Sequence, residues 1–458
     1  MHPTPHASRR DFLRGASAAV LAAGAGAAAL PVSAAPAPSA PAAHTPTTPL
    51  PAHYLLTSVR LETGFDHAGG AVSGTQTGLF ALEINKGTLA GVHAQVPAPL
   101  QSLPRVDAGG RLALPALRDM HIHLDKTWYG GPWRAPESRR GKTILDMIAF
   151  EQQELPKMLT TSVEHAEALI RLLASFGTTH ARSHCNIDPV SGLKSLEHLK
   201  QALANNTQTL SCEIVAFPQH GLLRSKVDGL MREAMSLGVN YVGGLDPTNV
   251  DGDMVGSLDA MFQIALDHDK GIDIHLHESG ASGQAAIAYM LDTVERTPEL
   301  KHRLTISHAF ALANMDEATL DATAERMHAL GVTIASTVPI GRSTMPLPRL
   351  REKGVTVFSG TDSVIDMWSP FGTGDMLEKS NLYAQLYGGY DELGLSRALG
   401  LVTGGVLPLA ADGTQQWPRV GEAADFMLVD STCSAEAVAR RSPRVATFKQ
   451  GRVVAGAV

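Results

Sequence analysis

From His180 onward, short apolar runs rich in β-branched residues alternate with stretches whose apolar residues recur every three or four positions. The first pattern suits buried strands and the second amphipathic helices, so their alternation predicts a parallel sheet covered by helices. Candidate strands span residues 116–123, 179–185, 212–218, 241–245, 272–277, 304–308, 332–338 and 355–359. Candidate helices span 162–176, 194–204, 227–237, 258–268, 284–294 and 316–330. Gly177, Gly238, Gly271 and Gly331 read as C-caps that close several of these helices. The number and order of the strands predict an α/β fold, a (β/α)8 TIM-type barrel over residues 116–404. Segments 53–115 and 405–458 fall outside the rhythm and read as strands joined by Gly-containing turns. Because they flank the barrel in sequence, they are expected to pair in one small β-sandwich.

The N-terminus reads as an address. Ser8-Arg9-Arg10-Asp11-Phe12-Leu13, a weakly apolar Ala/Gly run over 15–30 and the exit Val32-Ser33-Ala34 form a Tat-type signal peptide over residues 1–34. Cleavage is expected near Ala34, followed by a Pro/Ala-rich linker over 35–52. The Tat export machinery is then a partner, and the periplasm or the exterior the destination.

With 44% hydrophobic and 18% charged residues in 458 positions, a sizeable core is affordable and a disordered chain is excluded. A net charge of -7 supplies no basic patch, so the sequence offers no electrostatic case for nucleic acid or an anionic membrane. The three cysteines, Cys185, Cys212 and Cys433, include no C-x-x-C pair. Any metal must therefore sit on His and carboxylate.

Such residues recur where barrel strands end. His121-Ile-His123 closes the first candidate strand, and side chains two apart on a strand share a side, so both imidazoles can reach one ion. As an isolated pair, among 19 histidines, this signal is weak. His275-Leu-His277-Glu278 closes the fifth strand, Ser307-His308 the sixth and Gly360-Thr361-Asp362 the eighth. All strand C-termini of a barrel open on one face, so these ends converge on one metal site. His184, Asp188 and His277 lie near the same mouth.

The ordered set H-x-H, H-x-x-E, S-H and D, closed by Ala424-Asp-Phe-Met-Leu-Val-Asp and Gly451-Arg-Val-Val, resembles the metal-dependent amidohydrolase superfamily. Within it the chain resembles the cytosine deaminase group, which also contains triazine-ring aminohydrolases. The likeness is strongest at His121–Lys126, Val215–Gln219, His275–Glu278, His308 and Asp362–Leu377. It implies one divalent ion, Zn²⁺ or Fe²⁺, on His121, His123, His275 and Asp362, generating a hydroxide that hydrolyses a C–N bond. Glu278 matches the proton shuttle, and His308 the residue that steadies the tetrahedral centre. Asp362 also counts among the catalytic residues. Gln219 matches a reader of a cyclic amide edge, able to offer donor and acceptor. Ser363 departs from the second acidic residue usual in cytosine deaminases, which puts cytosine itself in doubt. Lys126 could meet an anionic or carbonyl-rich ligand, and Trp368 could wall the pocket. The expected partner is a small heterocyclic substrate, and a homo-oligomer is compatible with the sequence. Deamination of a cytosine-like, triazine or purine-like ring is the first expectation. Ring opening of a cyclic amide or imide is the second, and a non-catalytic exported solute-binding protein the third.

Overall fold

The structure, a computed structural model, describes residues 50–341 and 344–458. The expected export signal over 1–34 and nearly all of the linker over 35–52 lie outside the described residues.

Strands β1 (His53–Ala68), β2 (Ala71–Asn85), β3 (Thr88–His93), β4 (Arg105–Asp107) and β5 (Leu112–Pro115) precede the barrel. The barrel strands are β6 (Leu117–Ile122), β7 (Thr178–Asn186), β8 (Ser211–Phe217), β9 (Tyr241–Leu245), β10 (Gly271–His275), β11 (Leu304–Ser307), β12 (Thr333–Ser336) and β13 (Val357–Ser359). The chain ends with β14 (Phe426–Val429), β15 (Arg444–Lys449) and β16 (Arg452–Gly456). Helices α1 (Ile144–Met158) and α2 (Ser162–Ser175) both follow β6, and α3 (Lys194–Asn205), α4 (Asp228–Ser236), α5 (Met254–Asp267) and α6 (Ala281–Arg296) follow β7 to β10 in turn. They are joined by α7 (Glu317–Leu330), α8 (Leu347–Glu352), α9 (Met376–Leu386), α10 (Glu392–Ala398) and α11 (Ser434–Arg440).

Strands β6 to β13 pair in parallel in chain order, as a (β/α)8 barrel requires. The ring closes between its last and first strands: Asp362 bridges Ile122, and Asp119 accepts from Thr361 N at 3.0 Å and from Thr361 Oγ1 at 2.5 Å. The backbones approach closely here, since a Cβ on Gly360 would lie 2.4 Å from the His121 carbonyl oxygen. Helices cover the barrel with apolar faces; α2 buries Ala166, Leu169, Ile170 and Leu173. Each such leucine or isoleucine contributes about 1.5–3 kcal/mol for full burial.

The two flanking segments join in one sheet of order β16-β15-β14-β5-β1-β2-β3, with β4 beside β1. Its own core gathers Tyr54, Leu56, Leu82, Phe426 and Phe448, the two phenylalanines stacking at 4.3 Å.

Gly331 takes the left-handed cap expected of it. Gly271 does not: it opens β10, and Asp269, with φ of 52°, makes the turn after α5. Asp tolerates that conformation better than most residues, so the glycine was not needed there.

Candidate active site

The C-terminal ends of β6 and β10 and the turn after β13 bring His121, His123, His275 and Asp362 together, with one ligand atom from each within 4.8 Å of the others. His121 Nε2 lies 3.5 Å and His123 Nε2 3.3 Å from Asp362 Oδ1, while His123 Nε2 and His275 Nε2 are 3.4 Å apart.

Hydrogen bonds behind the rings fix which nitrogen faces inward. The Ser307 hydroxyl donates to Asp273 Oδ1 at 2.6 Å, so its oxygen accepts from His121 Nδ1 at 2.8 Å. Asp273 in turn accepts from Arg182 Nη1 at 2.9 Å; burial pushes its carboxyl up, and the guanidinium offsets only part of that. His123 Nδ1 donates to the His184 carbonyl at 3.1 Å. Both rings are thereby left with an unprotonated Nε2 pointing at a carboxylate, and His121 Nε2 is buried with no hydrogen-bond partner. Acceptor facing acceptor is unfavourable unless a cation lies between them, so the donor set fits a divalent ion. Burial holds His123 down to about 4 and His275 well below the ordinary range, keeping both imidazoles neutral as metal ligands must be. Asp362 and His308 both have positive φ, 65° each, a conformation that sets their side chains at the strand ends.

Glu278 stands beyond the end of β10, where the strand has already stopped at His275. Its Oε1 accepts from Thr248 N at 2.8 Å and Asn249 N at 2.9 Å, and its Oε2 is buried without a partner. His308 is buried with both ring nitrogens unpartnered, its ring 4.7 Å from that of His121 and 5.2 Å from that of His275. At the end of β9, Asp246 accepts from His277 N at 2.5 Å and pairs with its ring at 3.0 Å. His184 lies buried against His121, ring centres 4.2 Å apart, and Asp188 binds its own loop through Val190 N and Ser191 N.

The other predicted residues gather beside the nest. Phe217 stacks on His275 at 4.1 Å, and Lys126 Nζ lies 5.6 Å from the centre of the Phe217 ring. Lys126 is 1% exposed, donates to Gln219 Oε1 and pairs with Glu151 at 3.6 Å. Trp368 is half-buried and its indole N–H donates to Glu151. Ser363 is buried next to Asp362.

Glu151 is the residue that sequence reasoning missed, because α1 itself was not foreseen. Met147, Ile148, Glu151, Leu155 and Met158 share one buried helical face, with Glu151 in a core position. That spacing, with two carboxylates, Glu151 and Glu154, in an otherwise apolar stripe, was the available signal.

The barrel and the four-donor nest at its mouth form a scaffold fit to hold a divalent ion. The sequence profile of the amidohydrolase family matches residues 143–455, which include His275, Glu278, His308 and Asp362. The chain belongs to the amidohydrolase family. It is 59% identical to the uncharacterised protein YahJ of Escherichia coli K12, over 89% of this chain and 88% of that one. Among solved structures it resembles N-isopropylammelide isopropylaminohydrolase from Burkholderia multivorans, with 32% identity, a TM-score of 0.76, and 88% and 97% of the two chains covered. It shares its fold with 5-methylcytosine deaminase from Klebsiella pneumoniae, at 23% identity, a TM-score of 0.72, and coverage of 88% and 98%.

Proposed function

We propose that this amidohydrolase removes an amino or alkylamino group from a carbon of a small nitrogen heterocycle, releasing ammonia or an amine. The observation that carries this reading is the convergence of four ligand atoms beside a buried carboxylate, Glu278, that has one oxygen held and the other free. The 32% identical relative is an aminohydrolase by name, which supports release of an amine over ring opening.

His121, His123, His275 and Asp362 would hold one ion, Zn²⁺ or Fe²⁺. Asp246, at the end of β9, is already engaged by His277, and no Lys or Glu stands there to bridge a second. When bound, a divalent cation supplies the Lewis acidity that makes water nucleophilic near neutral pH. Attack on a ring carbon moves electron density onto the adjacent ring nitrogen, and Glu278 takes one proton from the attacking water and passes it to that nitrogen. The same carboxylate then takes the remaining hydroxyl proton and delivers it to the leaving amine as the carbonyl forms. His308, kept neutral by burial, can hydrogen-bond the oxygen of the tetrahedral carbon. Lys126, Gln219, Ser363 and Trp368 bind the ring.

The test is amine and ammonia release by metal-loaded protein from cytosine, isoguanine, amino- and alkylaminotriazines, with cyclic imides as ring-opening controls. Release that disappears in His275→Ala supports the reading. Imide opening without amine release, or no reaction with any ring, overturns it.

Export through the Tat machinery is part of the proposal, supported by the Arg9-Arg10 motif alone. Replacing both arginines by lysine should leave the protein in the cytoplasmic fraction.

A further inference from the structure

We propose that the outer edge of β2 over residues 74–80 pairs with the same edge of a second copy of this chain, joining the two flanking sheets into one antiparallel sheet about a two-fold axis.

β2 has two neighbours of unequal reach. β1 accompanies it from end to end, Ala68 opposite Ala71 and His53 opposite Asn85, whereas β3 pairs only with residues 81–85. Residues 74–80 therefore turn one row of backbone N–H and C=O groups away from β1, and among the described residues no main-chain partner meets that row. Ser73 is skipped in the register between Val72 and Gly74, a bulge that ends the regular edge on the hairpin side.

The other margins of the sheet are guarded. Beyond β3, Leu89 N donates to the Glu422 carbonyl at 2.9 Å and Gly421 N to the Leu89 carbonyl at 2.8 Å, so a passing segment covers that edge. At the opposite margin β16 is only five residues long and opens on Arg452. The β2 edge has none of these deterrents, since Gly74-Thr-Gln-Thr-Gly-Leu-Phe80 contains no charge and no proline.

The run is complementary to itself, which singles out a second copy as the occupant. Residues directly opposite in an antiparallel pair share a face. With the two-fold at Thr77, Gly74 lies opposite Phe80 and Gly78 opposite Gln76, a glycine against each larger side chain. Thr75 meets Leu79, which is 54% exposed in the single chain, and Thr77 meets its own copy. Seven residues in this register give about six to eight interchain hydrogen bonds, within the range of a specific interface. Each chain carries a net charge of -7, so two copies repel at a distance, and an uncharged strip is where their contact costs least. The hairpin is also held in place beforehand: Thr75 Oγ1 donates to Glu392 Oε1 of α10 at 2.5 Å.

Sedimentation velocity of the full-length protein from about 1 to about 100 μM, the range in which a small interface dissociates, should show a monomer–dimer equilibrium. Raising salt from about 50 mM to about 0.5 M should tighten the dimer, because it screens the repulsion and the contact has no charge to lose. Thr77→Lys sets two ammonium groups opposite each other and should weaken the dimer at least about tenfold, as should Thr77→Glu with two carboxylates. Arg60, which donates to Thr77 Oγ1 at 3.1 Å, and Glu62, opposite Thr77 on β1, offer either charge a partner within its own chain, so melting temperatures should stay parental. Mixing the two variants should restore dimers. Amides of residues 74–80 should gain hydrogen-exchange protection with concentration in the parental protein and not in Thr77→Lys. A monomer at every concentration, a dimer that salt weakens, or one untouched by both substitutions would overturn the proposal. Loss of the dimer in both variants without recovery in the mixture would also overturn it, since the substitutions would then act on the hairpin and not on the contact.

Discussion

Glu278 divides its carboxylate between two tasks, and the division predicts the effect of replacing it. In Glu278→Gln the amide oxygen can still accept from Thr248 N and Asn249 N, so the loop geometry should persist. The position of the free Oε2 is taken by an NH2 group that cannot shuttle a proton. Turnover on the best substrate should fall about 10²–10⁴-fold while metal content, measured by atomic absorption, stays at the parental level. Loss of metal together with activity would instead place Glu278 among the structural supports. Ser307 carries a different expectation, because it acts through His121. Ser307→Ala removes the acceptor that fixes the Nδ1 proton, leaving Asp273 without one of its donors. Metal affinity, measured by competition with a chromophoric chelator, should fall about 10–100-fold.

At the level of elements, α1 is held to the barrel by a buried charge as well as by apolar contact. Glu151→Ala strands Lys126 without its counter-charge and should cost about 3–5 kcal/mol in urea unfolding, whereas Glu151→Gln keeps the acceptor for the indole and should cost distinctly less. Equal losses would mean that the side chain acts by filling space. The same feature explains what the chain did and did not reveal. Seven of the barrel strands were legible as apolar runs, and β6 was legible through its His121-Ile-His123 end, because a parallel strand buried on both faces has little choice of composition. The ligand set was legible because it sits where those runs stop. Helix α1 was not, since Glu151 and Glu154 interrupt its core face, and nothing in local pattern shows that a carboxylate is paired with a distant lysine. Nor could spacing show that Gln219 would spend its oxygen on Lys126, a contact between the ends of β6 and β8. Between α7 and α8, Asp321 meets Arg349 through both oxygens, at 2.7 and 2.5 Å, and is held down at about 2. A carboxyl lowered on folding stabilises the protein above its unfolded value of 3.8, and that contribution disappears as pH falls toward 2. Asp321→Asn should therefore flatten the acid limb of the stability curve below pH 4 and leave its slope near neutrality alone.

For the whole molecule, the metal nest lies on the seam of the barrel. Every other pair of neighbouring strands shares a hydrogen-bonded ladder, but β13 and β6 meet only beyond the three-residue β13, through the Asp362–Ile122 bridge and the Asp119–Thr361 hydrogen bonds. His121 and His123 stand on one side of that seam, Asp362 on the other, and His275 across the mouth. An ion bound by all four would join the first strand to the segment after the last, so its binding energy would help to close the barrel. Removing it also leaves His121 Nε2 and His123 Nε2 facing the Asp362 carboxylate at 3.5 and 3.3 Å, a repulsion located at the closure itself. Chelation should therefore destabilise the fold by about 2.7 kcal/mol of lost linkage at free metal one hundred times Kd, read as a lower melting temperature. Hydrogen exchange locates the loss: the amides of Thr361, Asp362 and His123, which bond across the seam, should exchange faster in metal-free protein, while the β9–β10 ladder stays protected. His275→Ala separates the two contributions, because it removes a ligand from the far side of the mouth and leaves the seam hydrogen bonds in place. If that variant still binds metal weakly through the three seam residues, its seam amides should regain protection on metal addition. Uniform loss of protection across the barrel in metal-free protein would show that the ion stabilises the fold without acting as its clasp.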